Sequence, residues 1–135
     1  MIKYILLSLT LISSPLLADS LYLGGFSKHL FTKGLNENNP LLAVEINDYV
    51  IGGFKNSYND FTILTARDFK IKTNGNLSAG VILGATYGYY CDYVPLCKDK
   101  FMPVLSPYIS FTKYNIQPTV LLFGEAVYFT VKINY

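Results

Sequence analysis

The last nine residues of the chain alternate between two kinds of side chain. In residues 127–135, one face carries Val127, Phe129, Val131, Ile133 and Tyr135, and the other carries Tyr128, Thr130, Lys132 and Asn134. A period of two residues is that of a β-strand, whose successive side chains point to opposite faces. One apolar face and one mixed face predict a strand with a lipid-facing and a lumen-facing side.

Alternating or apolar segments predict seven further strands ahead of this one. The eight predicted strands cover residues 20–31, 40–47, 49–56, 60–71, 77–89, 102–112, 115–123 and 126–135. The segments between them contain Asn, Asp and Gly, which favour turns. Eight is the smallest strand number of bacterial outer-membrane barrels, and strands of about ten residues cross a bilayer. The sequence therefore predicts an all-β fold, an eight-stranded antiparallel transmembrane β-barrel.

The first 18 residues have the pattern of a cleavable signal peptide. Lys3 is positively charged, residues 5–12 form a short apolar run, and Ala18 is a small residue before the expected cleavage point. The run is too short for a membrane-spanning helix. An exported apolar chain is then either a soluble all-β domain or an outer-membrane barrel. The alternating final strand, together with the signal peptide, favours a barrel of residues 19–135 in the bacterial outer membrane.

Cys91 and Cys97 are the only two cysteines, and the only histidine is His29. In an exported protein we expect the two cysteines to form a disulfide. A metal site needs more ligands than this segment offers, so we expect neither a metal nor a cofactor. The formal net charge of +2, without a basic stripe, gives no indication of a nucleic-acid partner.

The fifth predicted strand has one face of small residues. Gly80 and Gly84 lie on the same face, two residues on either side of Ile82. Glycines facing the lumen would leave room inside a barrel that side chains otherwise fill. The same glycines would also relieve crowding or allow curvature, and the pattern does not separate the two roles.

The stretch VIGGFKNSYND, residues 50–60, is an apolar run that ends in a polar segment. With both termini in the periplasm, loops 32–39, 57–59, 90–101 and 124–125 face outward. This topology puts Ser57 and His29 at the outer rim. Asn and Ser also form turns commonly, so Ser57 is a turn residue as well as a candidate for chemistry.

Several segments, in order along the chain, resemble the PagP family of outer-membrane lipid A palmitoyltransferases. FKNSY (54–58) resembles the family's F-K-D-S-W, GGFSKHL places His29 near the family's essential histidine, and NENNP (36–40) is similar to its N-E-R-P. PVLSPYIS and YNIQPTVLLF resemble its two proline-bearing strands, and VYFTVKINY resembles its closing strand. The resemblance covers most of residues 19–135 at low identity.

The resemblance implies transfer of a palmitoyl chain from a glycerophospholipid to lipid A, by a monomer in the membrane. The family's catalytic His, Ser and Asp correspond here to His29, Ser57 and Asn56, so this chain has no carboxylate at the third position. Asp60 or Asp48 are the alternatives for that role. The glycine at the floor of the family's acyl pocket corresponds to Asp68, which we expect to pair across the lumen with a residue such as Lys132.

Three prolines are candidates for lipid access. Pro107 and Pro118 lie inside the sixth and seventh predicted strands, where a residue without an N–H weakens the ladder. We expect them to face each other and open a lateral gap, which in the family admits the phospholipid tail. Pro40, at the start of the second strand, matches the proline of the family's second gap. Prolines are also tolerated near strand ends.

Three functions follow from these observations. The first is a PagP-like acyltransferase, which predicts an apolar tunnel below a rim that holds His29 and Ser57. The second is a non-catalytic barrel with a structural or surface-interaction role, which predicts a lumen filled by polar pairs. The third is a lipid A deacylase or other lipid hydrolase, in which water replaces the acceptor.

Overall fold

The computed structural model describes residues 19–91 and 96–134 and contains eight strands in one closed antiparallel barrel. The strands are β1 (Ser20–His29), β2 (Leu41–Ile46), β3 (Tyr49–Lys55), β4 (Phe61–Asn74), β5 (Leu77–Tyr87), β6 (Phe101–Phe111), β7 (Ile116–Phe123) and β8 (Ala126–Asn134). Each strand pairs with its neighbours in sequence, and β1 pairs with β8. The predicted all-β fold with eight antiparallel strands is confirmed. In the described part of the chain, no helix is long and apolar enough to cross a membrane.

The observed strand limits differ from the predicted ones by a few residues. The largest difference is in β4, which runs to Asn74 instead of residue 71. Gly75 has a positive φ of 59°, which allows a tight turn, so that Asn74 still pairs with Leu77. The predicted signal peptide lies outside the described residues.

The two ends of the barrel carry different connections. We call one end the terminus end, because β1 begins there and β8 ends there. The same end carries the turns at 47–48, 75–76 and 112–115. At the other, the loop end, lie segments 30–40, 56–60 and 124–125, and residues 88–91 and 96–100 of the segment between β5 and β6. The predicted disulfide between Cys91 and Cys97 is confirmed and closes part of the 88–100 segment.

The outer face of the barrel is apolar, and the inner face combines polar residues with a buried apolar cluster. Along β6, for example, Leu105 and Ile109 are 66% and 56% exposed, whereas Ser106 and Ser110 are buried. The buried polar and charged residues of the strands are Ser20, Ser27, His29, Glu45, Thr62, Asp68, Thr86, Ser106, Ser110, Gln117, Thr119, Thr130 and Lys132. The departure from a water-soluble domain lies in the outer face, because such domains rarely expose contiguous apolar patches of this kind.

A charged cluster of Glu45, Asp68, Lys70 and Lys132 fills the lumen towards the terminus end. Glu45 lies 2.8 Å from Lys70 and 2.9 Å from Lys132. Asp68 lies 3.5 Å from Lys70 and 3.7 Å from Lys132, as expected for a cross-lumen pair. The hydroxyl groups of Tyr22 and Tyr108 donate hydrogen bonds to Glu45 and Asp68. Ion pairs and hydrogen bonds therefore compensate most of the buried charge at this level, whereas Asp68 Oδ2 accepts no hydrogen bond from the described residues.

The ladder between β6 and β7 is the shortest in the barrel. It has only three residue pairs, from Tyr108↔Leu121 to Ser110↔Thr119, whereas β5 and β6 share eleven. Pro107 directly precedes Tyr108, and Pro118 directly precedes Thr119, so the two prolines lie at opposite ends of the short ladder. The prediction that they face each other is wrong, because the register places Thr119 opposite Ser110. On the loop-end side of the ladder, the Ser106 hydroxyl donates a hydrogen bond to the Leu122 carbonyl at 2.6 Å.

A β-bulge in β1 fixes the loop that follows this strand. The register shifts between Leu23 and Phe26, so Gly24 and Gly25 together occupy the place opposite one residue of β8. Gly25 leaves space for the Tyr128 hydroxyl, which donates a 2.5 Å hydrogen bond to the Asn39 carbonyl. The bulge thus holds the 36–39 segment against the barrel.

Gly25→Ala is expected to disturb this arrangement. Its added Cβ would overlap the Tyr128 hydroxyl and the Asn39 carbonyl, and overpacking of this kind costs about 1–3 kcal/mol. Urea unfolding of the refolded barrel measures the loss. Gly24→Ala is the control, because a Cβ there meets nothing within 4 Å, although its φ of 68° is also strained. If Gly25→Ala lowered the free energy of unfolding no more than Gly24→Ala, overlap of the added Cβ would not explain the loss.

Candidate active site

His29 and Ser57 meet at the loop end of the lumen. His29 is the last residue of β1, and Ser57 follows β3 in the turn to β4. The His29 Nε2 atom lies 2.9 Å from the Ser57 Oγ atom, and the imidazole is 4% exposed. This is the geometry in which an imidazole can take the proton of an attacking hydroxyl.

Glu37 is a third member of the site that the sequence analysis did not identify. Its Oε1 atom accepts a 3.2 Å hydrogen bond from the backbone N–H of His29 and lies 3.8 Å from His29 Nδ1. The Nδ1 atom is buried and has no hydrogen-bond partner in the described structure. Lys28 lies 3.4 Å from the second carboxylate oxygen. The backbone N–H of His29, followed by Lys28, lowers the pKa of Glu37 below its ordinary value.

This lowered pKa predicts how Glu37 affects stability with pH. A carboxylate with a depressed folded-state pKa stabilises the protein above its unfolded-state pKa, and this stabilisation is lost as the pH falls through the folded-state pKa. Glu37→Gln should therefore lower the urea midpoint at neutral pH and leave it unchanged in acid, below the lowered pKa. Glu125→Gln, in the β7–β8 turn, is the control. If Glu37→Gln lowered the urea midpoint equally at both pH values, the lowered pKa of Glu37 would not be its source of stability.

Asn56 organises the turn instead of contacting His29. It is fully buried, and its Nδ2 donates to Thr62 Oγ1 at 2.9 Å and to the Gly88 carbonyl at 3.3 Å. Its Oδ1 accepts from the backbone N–H groups of Tyr58 and Asp60 at 2.8 and 3.1 Å. These four hydrogen bonds set the conformation of the turn, and thereby the direction of the adjacent Ser57.

An apolar cavity extends into the lumen from Ser57. Its volume is about 60 Å³, below the roughly 300–1,000 Å³ of ligand pockets that hold a drug-sized molecule. Its apolar and aromatic lining consists of Tyr22, Leu41, Ala43, Val50, Phe54, Leu64, Ile82, Tyr89, Val104, Leu121, Phe123, Ala126 and Tyr128. Ser27, Asn39, Ser57, Ser106 and Thr130 add the polar lining. The cavity is therefore apolar where it adjoins Ser57, and a long acyl chain would have to displace part of its lining to enter the lumen.

The three residues assigned to an acyl pocket lie outside this lining. Gly80 faces the Tyr108 ring, and a Cβ at Gly84 would meet Ala66 and the Thr65 carbonyl. The space beside both glycines is therefore occupied by neighbouring residues. Asp68 belongs to the charged cluster, which lies in the lumen towards the terminus end. Of the sequence candidates, only Ser57 lines the cavity itself.

The segment at Pro40 continues the contact between β1 and the chain leading into β2. Asn39 donates its N–H to the Gly25 carbonyl at 3.2 Å, and Ser27 donates its N–H to the Glu37 carbonyl at 2.9 Å. The Pro40 carbonyl accepts from Lys55 at 3.2 Å. Backbone hydrogen bonds therefore close the boundary between β1 and the chain leading into β2. The boundary between β6 and β7, which we call the β6–β7 seam, has only the short ladder.

Within residues 19–91 and 96–134, no group of three or more His, Cys, Asp or Glu side chains is arranged to hold a metal ion.

Comparison of the chain with protein-family models and with curated proteins finds no match. What Ser57, His29 and Glu37 do must therefore be derived from their own geometry. Glu37 lies in NENNP (36–40), which is similar to a family segment, but the resemblance implies no role for this glutamate.

Proposed function

We propose that this chain is an outer-membrane acyltransferase, which moves a fatty acyl chain from a phospholipid to lipid A. The observation that carries the proposal is the 2.9 Å contact between Ser57 and His29 beside an apolar cavity. A hydroxyl next to a base supplies the acyl-transfer chemistry, and the cavity offers an apolar lining to the start of the acyl chain. The resemblance to the PagP family supports the same activity.

A location in the outer membrane is supported by the apolar outer face. Transmembrane barrels expose an apolar band to lipid, with aromatic residues at both interfaces. Here, exposed aromatic residues lie near both ends of the strands, with aliphatic residues between them. Phe26, Phe61, Tyr87 and Phe101 lie towards the loop end, and Tyr49, Phe69, Phe111 and Tyr114 towards the terminus end. In water, an apolar band of this size would drive aggregation.

The apolar lining of the cavity supports an acyl chain as the transferred group. Burial of each methylene group contributes about 0.8 kcal/mol, so a lining of mostly apolar side chains favours longer chains until the cavity is filled. The donor ester would lie beside Ser57, with the chain directed into the lumen. The acceptor hydroxyl would then approach from the loop end.

The weak seam between β6 and β7 supports lateral entry of the lipid. Pro107 and Pro118 bound a ladder of three pairs, and Ser106 and Leu121, on the two sides of the seam, both line the cavity. An acyl chain entering here from the bilayer would reach the cavity without crossing water. The backbone hydrogen bonds near Pro40 make the boundary between β1 and β2 a weaker candidate for access.

Two other functions use features of the same barrel. The charged cluster around Glu45 and Asp68 favours a non-catalytic barrel, since it fills part of the lumen with polar pairs. A lipid A deacylase or other lipid hydrolase would use the same Ser57–His29 pair, with water as the acceptor. The mass of the lipid product distinguishes the three functions.

The test is mass spectrometry of lipid A from outer membranes with and without the protein, and with His29→Ala. We expect the protein to add one acyl chain and the substitution to abolish this gain. Lys55→Gln, beside the same turn, is the matched control and should retain activity. Loss of one chain would instead indicate a hydrolase. Unchanged lipid A beside a folded barrel would contradict both enzymes.

A further inference from the structure

We propose that acyl transfer passes through a covalent ester of Ser57, with His29 as the base and Glu37 as the carboxylate that orients His29. This inference rests on the proposed function for its acyl donor. It adds a covalent intermediate and assigns a role to Glu37.

Ser57 is the nucleophile because its position satisfies two requirements at once. Its Oγ lies 2.9 Å from His29 Nε2, within reach for proton transfer. Ser57 also lines the cavity, so its hydroxyl is next to the space that would hold the acyl chain. The turn built around the four hydrogen bonds of Asn56 keeps Ser57 in this position.

Glu37 is the orienting carboxylate because it lies next to the otherwise unpartnered nitrogen of His29. Its Oε1 is 3.8 Å from Nδ1, and the backbone N–H of His29 fixes the same oxygen at 3.2 Å. A movement of several tenths of an ångström would complete a hydrogen bond from Nδ1–H to the carboxylate. Such bonds are often long in the absence of substrate. The arrangement reproduces the order serine, histidine, carboxylate of a catalytic triad.

The first half of the reaction breaks the donor ester. The Ser57 Oγ atom attacks the ester carbonyl carbon as its proton passes to His29 Nε2, and a new C–O bond forms. The bond between that carbon and the glycerol oxygen then breaks. The leaving lysophospholipid takes the proton from His29, and the acyl group remains on Ser57.

The second half regenerates Ser57. A hydroxyl of the acceptor attacks the acyl carbon and gives its proton to His29 Nε2. The bond to Ser57 Oγ breaks, Ser57 recovers the proton, and the acceptor leaves as its ester. With water as the nucleophile, the same steps release a fatty acid.

The test uses an alkyl fluorophosphonate, which forms a P–O bond with an activated serine and releases fluoride. The full-length barrel, refolded in detergent micelles, is incubated with the probe and its intact mass is measured. We expect one adduct per chain on Ser57 and none in Ser57→Ala. Phospholipid followed by an acid quench should likewise give a mass increase of one acyl group in the wild type alone.

Glu37→Gln tests the positioning role. We expect the labelling rate at saturating probe to fall at least about tenfold, because the carboxylate of a triad stabilises the imidazolium. The probe concentration for half-maximal rate should not change, whereas misfolding would alter both values. Glu37→Asp should recover part of the rate, and Glu125→Gln should label at the wild-type rate.

The outcomes separate this inference from the proposed function. Acylation of lipid A with neither a Ser57 adduct nor an effect of Ser57→Ala would overturn the inference and leave the transferase standing. A Ser57 adduct without any acylated lipid A would support the inference and contradict the proposed acceptor. Labelling unaffected by Glu37→Gln would overturn the role of Glu37.

Discussion

Replacing His29 with alanine is expected to lower the rate of acyl transfer by about 10²–10⁴-fold, the usual contribution of a general base. The imidazole is the only group in the described structure that contacts the Ser57 hydroxyl at hydrogen-bond distance. Without it, the hydroxyl has no base to take its proton. The rate is measured with the purified barrel in vesicles that contain phospholipid and lipid A.

The His29→Ala barrel should remain folded, which the electrophoretic mobility shift on heating can verify. Lys33→Ala, an exposed lysine of the 30–40 segment, is the control and should retain activity. A folded His29→Ala barrel with the wild-type rate would contradict the assignment of His29 as the base.

Replacing Lys132 with methionine is expected to give the largest loss of stability, about 3–5 kcal/mol. Lys132 is 7% exposed and lies 2.9 Å from Glu45 and 3.7 Å from Asp68. Its removal would leave these two buried carboxylates with Lys70 as the remaining cation of the cluster, and Lys70 is about half exposed. Urea unfolding in lipid vesicles measures the difference.

Lys113→Met, in the exposed 112–115 turn, is the matched control and should change stability little. A triple variant with Glu45→Gln, Asp68→Asn and Lys132→Met should recover most of the loss, because it removes the uncompensated charge together with its partner. A loss for Lys132→Met equal to that of Lys113→Met would show that the cluster is not stabilising.

The fold could be predicted from the sequence because each strand carries its own pattern. Alternation in residues 127–135 indicates the strand and both its faces, and short turns such as Asn47–Asp48 adopt the positive φ values that hairpins need. The disulfide followed from two cysteines six residues apart. These signals are local, so they can be interpreted without knowledge of the rest of the structure.

The site was only partly predictable. His29 and Ser57 were expected at the same end because the order of the strands requires it, but strand order does not fix a distance. Their contact depends on where β1 and β3 end and on the turn that Asn56 stabilises. Glu37 has no periodic pattern around it. Its position depends on the bulge at Gly25 and on backbone hydrogen bonds across the loop.

The prolines show why register is difficult to derive from sequence. Pro107 and Pro118 lie in neighbouring strands, as expected, but the register of β6 and β7 is set by the 112–115 turn. That turn places Thr119 opposite Ser110, and the prolines are displaced to the two ends of the ladder. A change of one residue in the turn would have changed every pair.

The most direct test of the account is the release of lysophospholipid from phospholipid vesicles by the purified, folded barrel. We expect lysophospholipid with the wild type, and essentially none with Ser57→Ala or His29→Ala. With lipid A present, each lysophospholipid should be matched by one added acyl chain. A folded wild-type barrel that releases no lysophospholipid, or a Ser57→Ala barrel that releases it at the wild-type rate, would contradict the account.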